Sequence, residues 1–185
     1  MMMAYTSARD ERAMEDPVRA DTEDLKAWSV EVAEGEAPAF MEGMLKPAAA
    51  AGVEVLVARA DMVFGTDHLR SALYHAKRAM RERTNASDSL AMETLLYASG
   101  ERQLSSAIKK MSVDARTKEL VVAQLSGGKL SVGHGWSELK ESPGDISRDR
   151  LLRFCIGERE LETHGHRGGV ELVLERVAAV DILKK

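Results

Sequence analysis

The chain has 185 residues, 44% hydrophobic and 30% charged, with only 4% aromatic and a formal net charge of −4. Such a chain is long enough for one globular domain with a core of Leu, Val, Ala and Met, and its acidic balance, with a pI near 5.8, argues against a dedicated duplex-DNA binder. Its single cysteine, Cys155, excludes an intramolecular disulfide, no apolar run reaches the ~18 residues of a membrane span, and the N-terminus lacks the apolar stretch of a secretory signal, so a cytoplasmic location is expected.

Residues 1–26 carry seven acids and little apolar periodicity, the pattern of a disordered tail; 27–185 reads as a single domain. Trp28, Val30 and Val32 alternate with polar neighbours, as in a half-buried strand. Gly35 and Pro38 mark a turn, and Phe40–Ala51 has helical character, with Pro47 either in a kink or separating two short turns. Val53–Val57 is β-branched, bounded by Gly52, and is the clearest strand.

Phe64–Val113 then reads as three consecutive amphipathic helices. Leu69, Ala72, Leu73, Ala76 and Met80 form the stripe of the first, with Thr66 as its predicted N-cap. Asn85–Ser89 offers caps for a second, carrying Met92, Leu95 and Leu96. Ser99-Gly100 breaks that helix and caps a third, with Leu104, Ala107, Ile108 and Met111 on its apolar side. Glu119–Leu125 is a second central strand, Gly127-Gly128 a turn, and Leu130–Val132 a returning hairpin arm. Gly133–Asp149 reads as a loop. Leu151, Leu152 and Phe154 suggest a short helix and Glu158–Glu162 another. Gly168-Gly169 precedes a final helix with Val170, Val173, Leu174 and Val177 in one stripe. The fold class is α+β: a small, mostly antiparallel sheet with helices packed against it.

Charge is not evenly spread. Phe64–Val113 holds eight basic residues against five acidic ones in a chain that is negative overall. Arg70, Lys77 and Arg81 share a helix face by spacing, and Arg102 and Lys109 repeat the seven-residue interval. Such a face is either solvated surface or the footprint of a polyanion. At Ser99-Gly100-Glu101-Arg102-Gln103, a glycine-containing helix start presents free N–H groups. Arg102 adds a fork for phosphate, Gln103 a group for a base edge, and Tyr97 a stacking face. A plain tight corner between helices accounts for the same residues.

Catalytic and metal chemistry find little footing. His134, His164, His166 and Cys155 are the candidate ligands, but no zinc-type spacing joins them, so no metal or cofactor is expected. Ser99, His75 and Glu93 would make a hydrolase set, yet no G-x-S-x-G turn exposes the serine. No P-loop or G-x-G-x-x-G occurs, and no catalytic residue is assigned. Cys155, between Phe154 and Ile156, predicts a buried, inert thiol.

Ala60-Asp-Met-Val63, His68-Leu69 with Ala72 and Ala76, Met92-Glu93, the block Ala98-Ser-Gly-Glu-Arg-Gln-Leu104 with Ala107-Ile108, and Leu174-Glu-Arg-Val-Ala178 closely resemble the small kinase-binding subunit of the KEOPS complex, the Cgi-type or PRPK-binding protein family, in its archaeal form. The similarity covers Val53–Met111 and the last helix; the Gly133–Asp149 stretch departs from the family pattern. The resemblance implies a non-catalytic subunit that docks on the small atypical kinase/ATPase of KEOPS. Through that kinase it would reach the transferase that places threonylcarbamoyl on the adenosine beside the anticodon. It also implies help in recruiting tRNA by its single-stranded 3′ CCA end. The residues expected along that end are Arg81, Ser99, Arg102, Gln103 and Lys109, with Lys77 flanking. Val170 and Leu174 are the expected kinase anchor, although core packing explains the same side chains. The rival readings are a pure protein–protein adaptor without RNA contact, and a small enzyme using Ser99 or the histidines.

Overall fold

A computed structural model describes residues 16–142, 146–164 and 169–184. In chain order the elements are α1 (Pro17–Asp21), β1 (Lys26–Glu31), α2 (Ala37–Ala50), β2 (Glu54–Arg59), a 3-10 turn (Ala60–Met62), α3 (Thr66–Glu82), α4 (Leu90–Ser99), α5 (Leu104–Met111), β3 (Glu119–Ser126), β4 (Ser137–Glu138), α6 (Arg148–Arg153), α7 (Glu158–His164) and α8 (Gly169–Leu183).

The β-branched runs make one antiparallel sheet in the order β2-β3-β1-β4. Leu120–Leu125 of β3 are all buried, because this strand lies between two layers rather than facing water. Val30 and Val57 stand opposite Leu120 and Val122. On that face α2 covers Val30, Val55, Val57, Leu120 and Val122. On the other face α3, α4, α5 and α8 pack around Ala27, Leu56, Ala58, Val121 and Ala123. The fold is α+β, as the period-two and period-3.6 patterns predict.

The three-helix block forms where expected, with Ser89 capping α4 by accepting from the Met92 N–H at 3.3 Å. The start of α3 differs. Thr66 is its first residue, not its cap; Gly65 caps it with φ 90°. The Thr66 and Asp67 amides donate to the carbonyls of Lys140 and Glu141 at 2.9 and 3.0 Å. A Cβ at Gly65 would lie 2.3 Å from the Glu141 carbonyl oxygen, so glycine is required by both conformation and space.

Other expectations are corrected. The acidic stretch before residue 27 is not all tail: Pro17–Asp21 is helical, and Thr22 and Leu25 are buried. Leu25 gives the segment an apolar foothold that its acid count hides; residues 1–15 lie outside the described residues. Pro47 sits in the last turn of α2 without breaking it, since only one backbone bond is lost before the helix ends. Leu130–Val132 is not a strand. The buried Gln124 amide holds that turn instead, donating to the Gly128 carbonyl at 2.6 Å and accepting from the Leu130 N–H at 3.0 Å. The returning strand is β4, inside the expected loop, paired with Trp28 and Ser29 of β1.

Candidate functional site

The corner between α4 and α5 is built by an αL residue and two side chains. Gly100 ends α4 with φ 67°, and a Cβ there would meet Cβ of Arg176 in α8 at 3.2 Å. Ser99 is fully buried; its hydroxyl donates to the Leu96 carbonyl at 2.7 Å and accepts from the Glu101 N–H at 3.1 Å. It closes α4 and is withdrawn from the surface. Lys110 Nζ donates to the carbonyls of Ser99 (2.7 Å) and Phe154 (2.9 Å), pairs with Glu101 at 3.2 Å, and lies 4.0 Å above the Phe154 ring. This lysine supplies the donors that the last turn of α4 lacks.

What the corner leaves outside is Arg102, Gln103 and Lys109. All three are exposed. The Gln103 side chain occupies the N-cap position of α5 without bonding its own helix, so among the described residues no side chain caps the Leu104 and Ser105 amides, while the Ser106 amide donates to the Gln103 carbonyl at 3.0 Å. Arg102 reaches the end of α8, where its Nε donates to the Leu183 carbonyl at 3.2 Å. Among the described residues no carboxylate pairs with Arg102 or Lys109. Arg102 lies outside α5, so the seven-residue interval does not place it on one helix face with Lys109.

Three expected surface groups are committed elsewhere. Lys77 donates to the Asp21 backbone carbonyl at 2.8 Å, and Arg81 pairs with the Asp21 carboxylate at 2.8 Å. Arg70 pairs with Asp67 at 2.6 Å. The basic stripe of α3 is therefore occupied by α1 and by the helix's own first turn. Tyr97 offers no stacking face: it is fully buried, and its hydroxyl donates to Asp181 at 2.6 Å. Burial, then that hydrogen bond, hold the Tyr97 hydroxyl protonated far above the usual phenol range.

The Asp181 carboxylate fixes α8. Besides Tyr97 it takes Nδ1 of His75 at 2.7 Å and the guanidinium of Arg78. Burial pushes its pKa up, but the Tyr97 bond and the His75 and Arg78 charges outweigh it, leaving the carboxyl below its ordinary range. One turn on, Lys184 pairs with the fully buried Glu93, whose other oxygen accepts the Ala86 and Ser87 N–H groups at 2.9 and 3.0 Å. Val170 and Leu174 are half-buried, Ala178 is exposed and Ile182 is 78% exposed. At their spacing they form an apolar stripe on the outer side of α8, beside Glu171 and Glu175. Asp181 and Lys110 escaped sequence reasoning. The acid next to the buried Val180, after the apolar run Val177–Val180, was a signal for the first; nothing local marks the second, whose partner Phe154 is 44 residues away.

His75 binds Asp181 and Ser99 binds Leu96, so the imagined Ser-His-Glu set is not assembled. Cys155 is exposed with φ 72°, contrary to the expected buried thiol: Phe154 and Ile156 turn inward and the αL residue between them turns out. His134 is exposed; His166 and the side chain of His164 lie outside the described residues. Among the described residues no three His, Cys, Asp or Glu side chains gather as a metal site. No helix described is long and apolar enough to cross a membrane.

No curated protein matches the chain. The family described as Kinase binding protein CGI-121 matches residues 36–148, a stretch from the start of α2 to the start of α6 that holds β2, β3 and β4, the α3–α5 block and the corner. With well over half of its length matched, the chain belongs to the CGI-121 kinase-binding protein family.

Proposed function

We propose that the chain is the non-catalytic kinase-binding subunit of a KEOPS complex and that it helps recruit tRNA by its 3′ CCA end. Membership of a kinase-binding family supports the first part. The kinase, through which the threonylcarbamoyl-transferase subunit is reached, docks on the apolar stripe of α8, with Leu174 and Ile182 as anchors and Val170 at its edge. The observation that carries the RNA part is the exposed Arg102–Gln103 pair at the uncapped start of α5. A guanidinium and open helix amides hold phosphate, and a glutamine amide reads a base edge. Lys109 adds charge; Ser99 acts only by shaping the turn. Lys77 and Arg81 join the RNA surface only where α1 releases them.

Charge reversal by Arg102→Glu tests the RNA reading by gel shift. We expect binding of intact tRNA to weaken about tenfold or more, the worth of a charge-assisted contact turned repulsive, with little change for tRNA lacking CCA. Equal losses for both RNAs would remove the 3′-end assignment. The adaptor reading without RNA is favoured by the engagement of Lys77 and Arg81 with α1. It wins if wild-type protein, alone and with kinase, shifts no tRNA.

A further inference from the structure

Among the described residues, the corner and the last helix are joined by one hydrogen bond, from Arg102 Nε to the Leu183 carbonyl at 3.2 Å. A carbonyl in a helix's last turn has no intrahelical donor and carries the negative end of the helix dipole, so a guanidinium is a favoured partner. The bond uses one edge of the fork. The terminal nitrogens of Arg102 have no partner among the described residues and remain available for a phosphate oxygen. The surface around the accepting carbonyl is open and apolar: Ile182 is 78% and Leu183 38% exposed. The rest of α8 is tied to the same framework by Asp181 on α3 and α4, by Lys184 on Glu93, and by Arg176 against Gly100.

We propose that the last turn of α8 positions Arg102, so that kinase docking on α8 and capture of a nucleic-acid phosphate at the corner favour each other. This rests on the reading of Arg102 as a phosphate-binding residue. A free arginine spreads over many rotamers and loses that freedom when it grips a phosphate. Held by Leu183, it has already lost part of it, with the outward edge of the fork still bare. A partner covering Ile182 and Leu183 stiffens the turn and removes the water that competes for its carbonyl. By linkage, the RNA end tightens kinase binding by the same factor.

The probe is a labelled single-stranded RNA ending in CCA, titrated in anisotropy with and without saturating kinase. The wild type is expected to gain roughly two- to tenfold in RNA affinity with kinase, the range one hydrogen bond covers, and Arg102→Ala to bind weakly with no gain. Lys184→Ala removes the pair with Glu93 but keeps the Leu183 backbone. Lys184→Pro removes the same pair and also turns Leu183 away from helical geometry. We expect the proline variant to bind RNA more weakly than the alanine variant and to lose the gain. If the two behave alike while Arg102→Ala still weakens binding, the positioning role is overturned and the phosphate role stands. If Arg102→Ala leaves RNA affinity intact, the phosphate role falls first. Should Lys184→Pro melt early, Arg102→Lys answers the question. It keeps the charge but cannot hold carbonyl and phosphate with one fork, so retention of the full kinase gain by this variant overturns the proposal.

Discussion

At the scale of single residues, His68 shows how a buried polar group is settled. It is fully buried, accepts from the Phe64 N–H through Nδ1 at 3.1 Å and donates from Nε2 to the Ala98 carbonyl at 2.8 Å, which fixes the neutral tautomer. Burial, with smaller contributions from Lys110 and Arg150, lowers its pKa to about 4. Between pH 6.5 and 4 the unfolded chain takes up a proton here that the folded chain refuses. Stability therefore falls as pH drops through that window, by up to about 3 kcal/mol. Urea denaturation across the window checks this, and His68→Gln is expected to flatten the slope. Gly65→Ala should cost upwards of about 1–3 kcal/mol in the same assay, from strain at positive φ and collision with the Glu141 carbonyl. Gly100 and Ser89 were legible because a turn and a cap are local chemistry. Tyr97 was misread because its burial is decided by α8, far along the chain, Ser99 because its hydroxyl is spent inside the corner on Leu96 and Glu101, and Cys155 because an αL backbone turns it out between two buried neighbours.

Elements follow the same division. The α3–α5 block and β3 repeat their apolar period for long enough to be read directly. The five residues of α1 and two of β4 carry no such signal and exist because something larger receives them. The helix α8 was visible as a stripe, but its two faces were not told apart: Leu172, Val173, Val177 and Val180 enter the core, while Val170 and Leu174 stand at its margin. Two substitutions separate these roles. Asp181→Ala leaves Tyr97, His75 and Arg78 without their common acceptor and should destabilise the fold by about 2–4 kcal/mol, read as a lower melting temperature. Ile182→Asp should melt as the wild type does yet fail to retain the kinase in a pull-down; retention would move the interface off α8.

For the whole molecule, a net charge of −4 leaves little long-range attraction for RNA, so the proposed RNA binding would rest on few contacts. Arg102 and Lys109 alone correspond to a slope of log affinity against log salt near −1.4, whereas release of Lys77 and Arg81 from α1 would bring it nearer −3, at about −0.7 per phosphate. A salt titration of the CCA-ended RNA distinguishes the two surfaces. The sheet order has a consequence of another kind. β1 and β2 touch only through β3, which is made some sixty residues after β2 ends. A nascent chain leaving the ribosome must hold Val55–Val57 unpaired for several seconds at ordinary synthesis rates, while α3 to α5 gather locally. A fragment stopping before Glu119 should accordingly give a helical circular dichroism spectrum without sheet and precipitate, making the late strand the step at which translation yields a soluble product.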